Sequence, residues 1–334
     1  NPELRKLWDD FHSDNATKDI EEIAFADTDK MATRDASGKA LNYMAQKYGN
    51  LVGGSADLAG PNKTVLKDCD GTFSPVNPKG RTIEYGIREF AMSAICSGIY
   101  LHGGLRPFCA TFLVFADYLR PQLRIAALMK VPNIYVLTHD SIYVGEDGPT
   151  HQPVETLASL RAIPNVQILR PADAQETLEA WKMAYESKDH PVCIALTRQA
   201  LQGFAKADSN WKENIRKNGG YVALDCQGTP DITVLATGSE VSLAYEVSNL
   251  IDDVRVVSMP SEFLFEEQSE EYKESVLPCR CKTTAIEMGC SHGWYKYAKR
   301  VIGIDTFGLS APAKVVANHF GFTPEAVANK ILNK

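Results

Sequence analysis

This sequence has no long apolar run, no excess of basic charge and no ordered cysteine pattern. No stretch approaches the roughly 18 uninterrupted apolar residues of a membrane-spanning helix, so no such span is expected. Lysine and arginine number 35 against 42 aspartates and glutamates, a formal net charge of −7. Nucleic-acid binders normally carry the opposite balance. The opening Asn1-Pro2-Glu3 is not the basic-then-apolar start of a secretory signal, and a cytoplasmic protein is expected. The absent methionine is expected of a fragment or a processed terminus. Of the eight cysteines, Cys96, Cys109 and Cys193 lie in apolar stretches. Free thiols in a reducing compartment are therefore expected. The spacing of Cys279, Cys281 and Cys290 fits no common zinc pattern. The triplets Asn15-Ala16-Thr17 and Asn62-Lys63-Thr64 are short enough to arise by chance.

What is present is an ordinary globular composition, 44% hydrophobic and 23% charged over 334 residues. At about 150 residues per domain, that length suggests two domains. Residues 1–30 carry amphipathic traces (Leu4, Leu7, Trp8, Phe11, Ile20, Ile23) and read as a helical lead-in. From 31 to 202, apolar runs alternate with helical periods. Leu51-Val52 reads as a strand ending in a tight Gly53-Gly54-Ser55 loop, and Glu89 to Ile99 reads as a helix. Phe112 to Met129 reads as helical, with Pro121 expected to start a new helix or kink one. Ile134–Leu137, Asn165–Leu169 and Val192–Leu196 read as buried strands, with a helix from an Asp173 N-cap between the last two. Residues 203–218 are polar with little periodicity and read as an interdomain linker. The alternation resumes from 219 to 334. The expected fold is α/β, with two open, mostly parallel sheets.

Ligands of such sheets bind outside the carboxyl ends of the strands. Polar clusters fall there: Gly53–Asp57, Thr138–Ser141, Gly145–His151 and Thr197–Gln199. Each is also ordinary turn composition. Together they place histidines, an arginine, a serine and carboxylates at successive strand ends.

Tyr85–Glu89, Thr111–Phe115, His139–Ser141 and Gly145–Pro153 resemble the transketolase family, as do Ala236–Glu240, Val257–Pro260 and Gly303–Gly308. The resemblance runs from about Arg34 to the end and covers only the C-terminal half of a typical member, its pyrimidine-binding and C-terminal domains. It implies thiamine diphosphate as cofactor and transfer of a two-carbon ketol unit between sugar phosphates. It implies that Glu89 holds the cofactor's N1′ and that Phe112, Phe115 and Tyr118 enclose the aminopyrimidine. At i, i+3 and i+6 these aromatics are expected along one side of a helical turn. Arg34 and Arg198 would bind substrate phosphate as guanidinium forks, with Ser55 and His139 adding donors. Asp147 and His151 would meet sugar hydroxyls, and His151 would also assist proton transfer. No metal ligand is expected in this chain. The resemblance implies that the Mg or Ca site belongs to the family's N-terminal half, and no Gly-Asp-Gly segment with a following Asn is found here. That half, as the same or a separate chain, and a second copy forming a homodimer are the expected partners.

Two departures from the family stand out. Tyr143 falls where many relatives carry glycine, either narrowing the cleft or lining its rim, and Ala200 falls where asparagine is common. Two enzymatic rivals remain, the β subunit of a 2-oxo acid dehydrogenase E1 component and deoxyxylulose-phosphate synthase. A non-catalytic dimerising or regulatory module is a third alternative.

Overall fold

The structure is a computed structural model that describes residues 1–12 and 23–333. Ile20 and the Asn15 triplet lie outside the described residues. The first helix, Pro2–Phe11, buries none of its own residues.

The larger sheet has six parallel strands. From edge to edge they are Thr82–Glu84, Leu51–Ser55, Arg106–Phe112, Ile134–Thr138, Val192–Leu196 and Gln167–Leu169. Every residue of Ile134–Thr138 and Val192–Leu196 is buried, as continuous apolar runs require when helices cover both faces. One face carries Thr33–Lys47 and Ala174–Glu186, joined by a 2.8 Å hydrogen bond from Trp181 Nε1 to Ser37 Oγ. The other face carries Glu89–His102 and Ala116–Leu128, which bury Met92, Leu119 and Leu123. Asp173 caps its helix as expected, accepting from the Glu176 amide at 2.9 Å.

The smaller sheet is mixed. Arg300–Ile302, Thr283–Ile286, Ile232–Ala236 and Val254–Ser258 run parallel, and Tyr221–Leu224 closes the edge antiparallel. A short antiparallel pair, Lys30–Ala32 with Ala200–Gln202, ties the start of the first half to its end.

Several local expectations are corrected. Gly53 and Gly54 are strand residues, not a loop. A Cβ on Gly54 would meet the Ile83 carbonyl at 1.9 Å, and one on Gly53 the Phe108 carbonyl at 2.1 Å. Close approach of neighbouring strands is what requires glycine here. Pro121 starts no new helix and sits inside Ala116–Leu128. At the sixth helical position it forfeits the one backbone bond to Asp117, in a segment already anchored by buried Leu119 and Leu123. The polar stretch before residue 219 contains the helix Trp211–Asn218, held by buried Trp211 and Ile215. Two well-spaced apolar residues suffice for so short an element. Cys279 and Cys281 form a disulfide, whereas the other six cysteines are free.

Candidate active site

The chain runs from Leu51–Ser55 outward to Thr82–Glu84 and then returns to Arg106–Phe112 on the opposite side. The strand order therefore reverses between Leu51–Ser55 and Arg106–Phe112, and the crevice at their carboxyl ends is where such sheets hold ligands. Ser55, Phe112 and Thr138 end three adjacent strands there.

A directed hydrogen-bond chain runs beneath this crevice. Ser55 Oγ donates to the Ala110 carbonyl at 2.9 Å and accepts from Asn62 Nδ2 at 2.7 Å. Thr138 Oγ donates to Asn62 Oδ1 at 2.6 Å. Having spent its one hydrogen, Thr138 must accept from His139 Nδ1, which lies 2.7 Å away. The imidazole thus carries its proton on Nδ1, and Nε2 accepts from Arg34 Nη1 at 3.3 Å. Burial, with Arg34, Arg198 and His151 nearby, brings the His139 pKa down to about 3. The ring is neutral at any physiological pH. Its backbone is left-handed, with φ of 62°, a conformation a histidine holds only when its surroundings impose it.

The Phe112 ring lies against His139 with centroids 3.7 Å apart, and Phe115 stacks on Phe112 at 5.8 Å. His151 meets both phenyl rings edge-on, at 6.4 and 5.4 Å. Phe112 closes a strand, Phe115 lies in a 3₁₀ turn, and Tyr118 belongs to the following helix. This corrects the expected single helical row, because the helix begins only at Ala116. Tyr118 stays 64% exposed, 6.2 Å from Phe115.

Arg34 is half-buried and donates to the Pro61 carbonyl at 3.2 Å. Burial lowers its pKa, Asp35 opposes that, and Arg198 lowers it further. Arg198 is exposed just beyond Val192–Leu196. Two guanidiniums beside a neutral imidazole make a setting that favours an anion.

The structure thus brings Arg34, Phe112, Phe115, His139 and His151 into contact, with Arg198 adding its field. Ser55 is buried below them with its hydrogen committed, so it holds Asn62 rather than offering a donor to the crevice. Asp147 is exposed on its loop and makes no hydrogen bond among the described residues. Glu89 opens the helix Glu89–His102, is only 7% exposed and has no hydrogen-bond partner among the described residues. Tyr143 packs against the core of the second half rather than against the Phe112–His139 stack.

Sequence reasoning missed the support behind Asp140. Asp140 Oδ2 accepts from Arg170 Nε at 2.8 Å, and Arg170 also binds Glu240. Arg161 grips Glu287 through two bonds of 2.7 and 2.9 Å and reaches Glu262 at 3.0 Å. Burial alone would lower both arginine pKa values, but the carboxylates override it and raise them. Arg161 and Arg170 belong to the first half, and Glu240, Glu262 and Glu287 to the second. The segment Thr138–Ser141 is therefore braced by buried charge from both halves.

The sequence family described as transketolase, pyrimidine binding domain, matches residues 29–203. The chain belongs to the transketolase family. The transketolase-like C-terminal domain family matches residues 219–323. Transketolase from Bacillus subtilis is 50% identical over 309 residues, covering 90% of this chain and 46% of that protein. Transketolase from Treponema pallidum is 50% identical over 306 residues, covering 91% and 46%. The chain thus spans about half the length of the curated relatives it matches. A mutant transketolase of Pichia stipitis, solved with xylulose-5-phosphate, superposes with a TM-score of 0.91 at 39% identity, covering 99% of this chain and 50% of that one. A split-gene transketolase, solved as an inactive β4 tetramer, has a TM-score of 0.71 at 26% identity, covering 90% of this chain and 97% of that one.

Proposed function

We propose that this chain supplies the pyrimidine-binding and C-terminal domains of a transketolase that moves a two-carbon ketol unit from a ketose phosphate to an aldose phosphate. The observation that carries the reading is the Arg34–His139–Phe112–His151 cluster, with Arg198 beside it, at the switch point of the larger sheet.

Thiamine diphosphate would supply a thiazolium carbon that adds to the ketose carbonyl once deprotonated. The residues present fit its other ring. Glu89 is a largely buried residue whose carboxyl has no hydrogen-bond partner among the described residues, leaving it open to a ring nitrogen. Phe112 and Phe115 give flat surfaces for offset stacking of a heteroaromatic ring. Arg34 and Arg198 would grip the substrate phosphate through charge-assisted bonds. His139 Nε2 is an acceptor in this tautomer, so it serves a hydroxyl or holds Arg34, and it does not donate to phosphate. Asp147 would accept from a sugar hydroxyl, giving selectivity against analogues lacking that group. His151 would hold or move a proton near the reacting carbonyl.

The diphosphate and its Mg or Ca ion would be bound by an N-terminal half, in the same or a separate chain of a cytoplasmic enzyme. Among the described residues no group of three or more His, Cys, Asp or Glu is arranged to hold a metal. The half-length match and the inactive split-gene relative support that division. Exposed Phe90, Ile95, Ile125, Leu128 and Met129, on or beside the helices Glu89–His102 and Ala116–Leu128, support a homodimer through this face. The test is ketol transfer and thiamine diphosphate binding by residues 1–334, with and without a separately made N-terminal half. The expected result is negligible activity alone and metal-dependent activity when the halves are combined. Robust transfer by the purified chain, verified by mass as free of full-length enzyme, would overturn the division of labour. No activity from a folded mixture with intact cofactor binding would overturn the assigned reaction.

A further inference from the structure

Cys279 and Cys281 flank a single residue, Arg280, in the turn that leads into the strand Thr283–Ile286. Their Cα atoms are 5.4 Å apart and their sulfurs are bonded. A bridge closed across one residue restrains the unfolded chain far less than one closing a long loop, so stability does not explain it. Its place does. Cys281 is exposed and Cys279 half-buried. Cys281, but not Cys279, lines a groove of about 700 Å³ with Lys282, Lys299, Arg300, Tyr295 and Asp231.

The groove is cationic. Lys282 pairs with Asp231 at 3.1 Å, and Arg300 caps the carbonyls that end the helix Pro324–Leu332. Lys299 is exposed with no ion-pair partner among the described residues. Arg280, the residue between the two cysteines, adds a further charge, its guanidinium donating to the Tyr295 carbonyl. Positive neighbours favour thiolates, which makes the reduced pair reactive and Cys279 a good leaving group.

We propose that Cys279–Cys281 is a thiol–disulfide exchange site whose cationic groove takes low-molecular-weight thiols bearing carboxylates. The incoming thiolate attacks Cys281 Sγ, the protein S–S bond breaks, and its electron pair leaves on Cys279. A second thiolate then attacks the outer sulfur of the mixed disulfide and releases Cys281 as thiolate. The protein gains two electrons, and two small thiols are oxidised to one disulfide. The inference is independent of the proposed ketol transfer.

The test is differential alkylation and mass analysis of the peptide spanning 276–286, after equilibration of the folded protein in glutathione buffers of graded reduced-to-oxidised ratio. The pair is expected to interconvert reversibly between disulfide and dithiol. Cys279→Ser is expected to trap glutathione on Cys281, with Cys226, a lone half-exposed thiol, as internal control. Normalised to thiolate, the negatively charged thiol should react faster than neutral 2-mercaptoethanol, and that faster than cationic cysteamine. Lys299→Glu, an exposed substitution, should slow glutathione on the order of threefold while leaving 2-mercaptoethanol within twofold. A pair that stays in one state throughout, or a Cys281 that traps no more glutathione than Cys226, would overturn the exchange site. Equal rates for the three thiols would overturn the role of the groove.

Discussion

His139 Nδ1 lies 2.7 Å from Thr138 Oγ, whose own hydrogen is committed to Asn62 Oδ1 at 2.6 Å. That pair of contacts places a proton on Nδ1, and burial beside Arg34 and Arg198 keeps the ring neutral, with its Nε2 lone pair turned to Arg34. The sign of its pH effect follows. The unfolded ring takes up a proton near its ordinary 6.5, while the folded ring resists until about 3. Its contribution to stability is complete above about 6.5 and is lost as pH falls toward 3. The His139 imidazole NMR signals should therefore stay unchanged from pH 8 to pH 5. A titration midpoint near 6.5 would contradict the geometry.

Thr138→Val keeps the shape of the side chain and removes both bonds. Asn62 Oδ1 and the His139 N–H are then left unpaired in a buried place, at a cost of about 1–3 kcal/mol. Denaturant unfolding should register that loss, and Thr138→Ser should recover most of it. A variant as stable as the parent would show that the hydrogen-bond chain does not hold the site.

Arg198→Ala, in the complete enzyme, should raise KM for phosphorylated sugars far more than for hydroxypyruvate. The charge-assisted bonds at stake are worth about 1.5–3 kcal/mol, roughly 10- to 150-fold. Equal effects on both donors would show that Arg198 does not read phosphate.

Glu89→Ala, in the same complete enzyme, should lower turnover roughly 10²- to 10⁴-fold, the range for lost proton-transfer assistance. Thiamine diphosphate should still bind, more weakly, by calorimetry. Turnover within threefold of the parent would remove Glu89 from the reaction.

Glu176 joins the two halves by accepting from Tyr221 at 2.7 Å and Ser258 at 2.8 Å. Burial first, and Asp173 next, push its pKa up to about 7. The unfolded carboxyl loses its proton near 4.5 while the folded one keeps it. This contribution to stability is therefore complete below about 4.5 and is lost as pH rises toward 7. The Tm of wild type minus that of Glu176→Gln should fall between pH 5 and pH 8. A flat difference would mean the carboxyl is ionised throughout.

The sequence by itself determined the α/β class, because fully buried strands must be apolar along their whole length and covering helices must repeat near every 3.6 residues. It also determined which strand ends would be polar, and His139 and His151 stood out there as candidates, whereas Arg34 and Phe112 were marked only by the family resemblance. What it could not convey was direction. Asn62 looked like part of a chance triplet, and Ser55 looked like a donor to ligand. Only the register of three adjacent strands, with the short helix Ala59–Asn62 packed on them, set Ser55, Asn62 and Thr138 in one line and left the Ser55 hydrogen pointing at Ala110. Gly53 and Gly54 likewise read as a turn until the neighbouring strands showed that a side chain has no room. The brace behind Asp140 was invisible for a simpler reason. Arg170 and Glu240 are 70 residues apart, and nothing local marks a charge whose partner arrives from the other half. Spacing records what one element needs, whereas charges buried between two halves are paired only by how those halves pack.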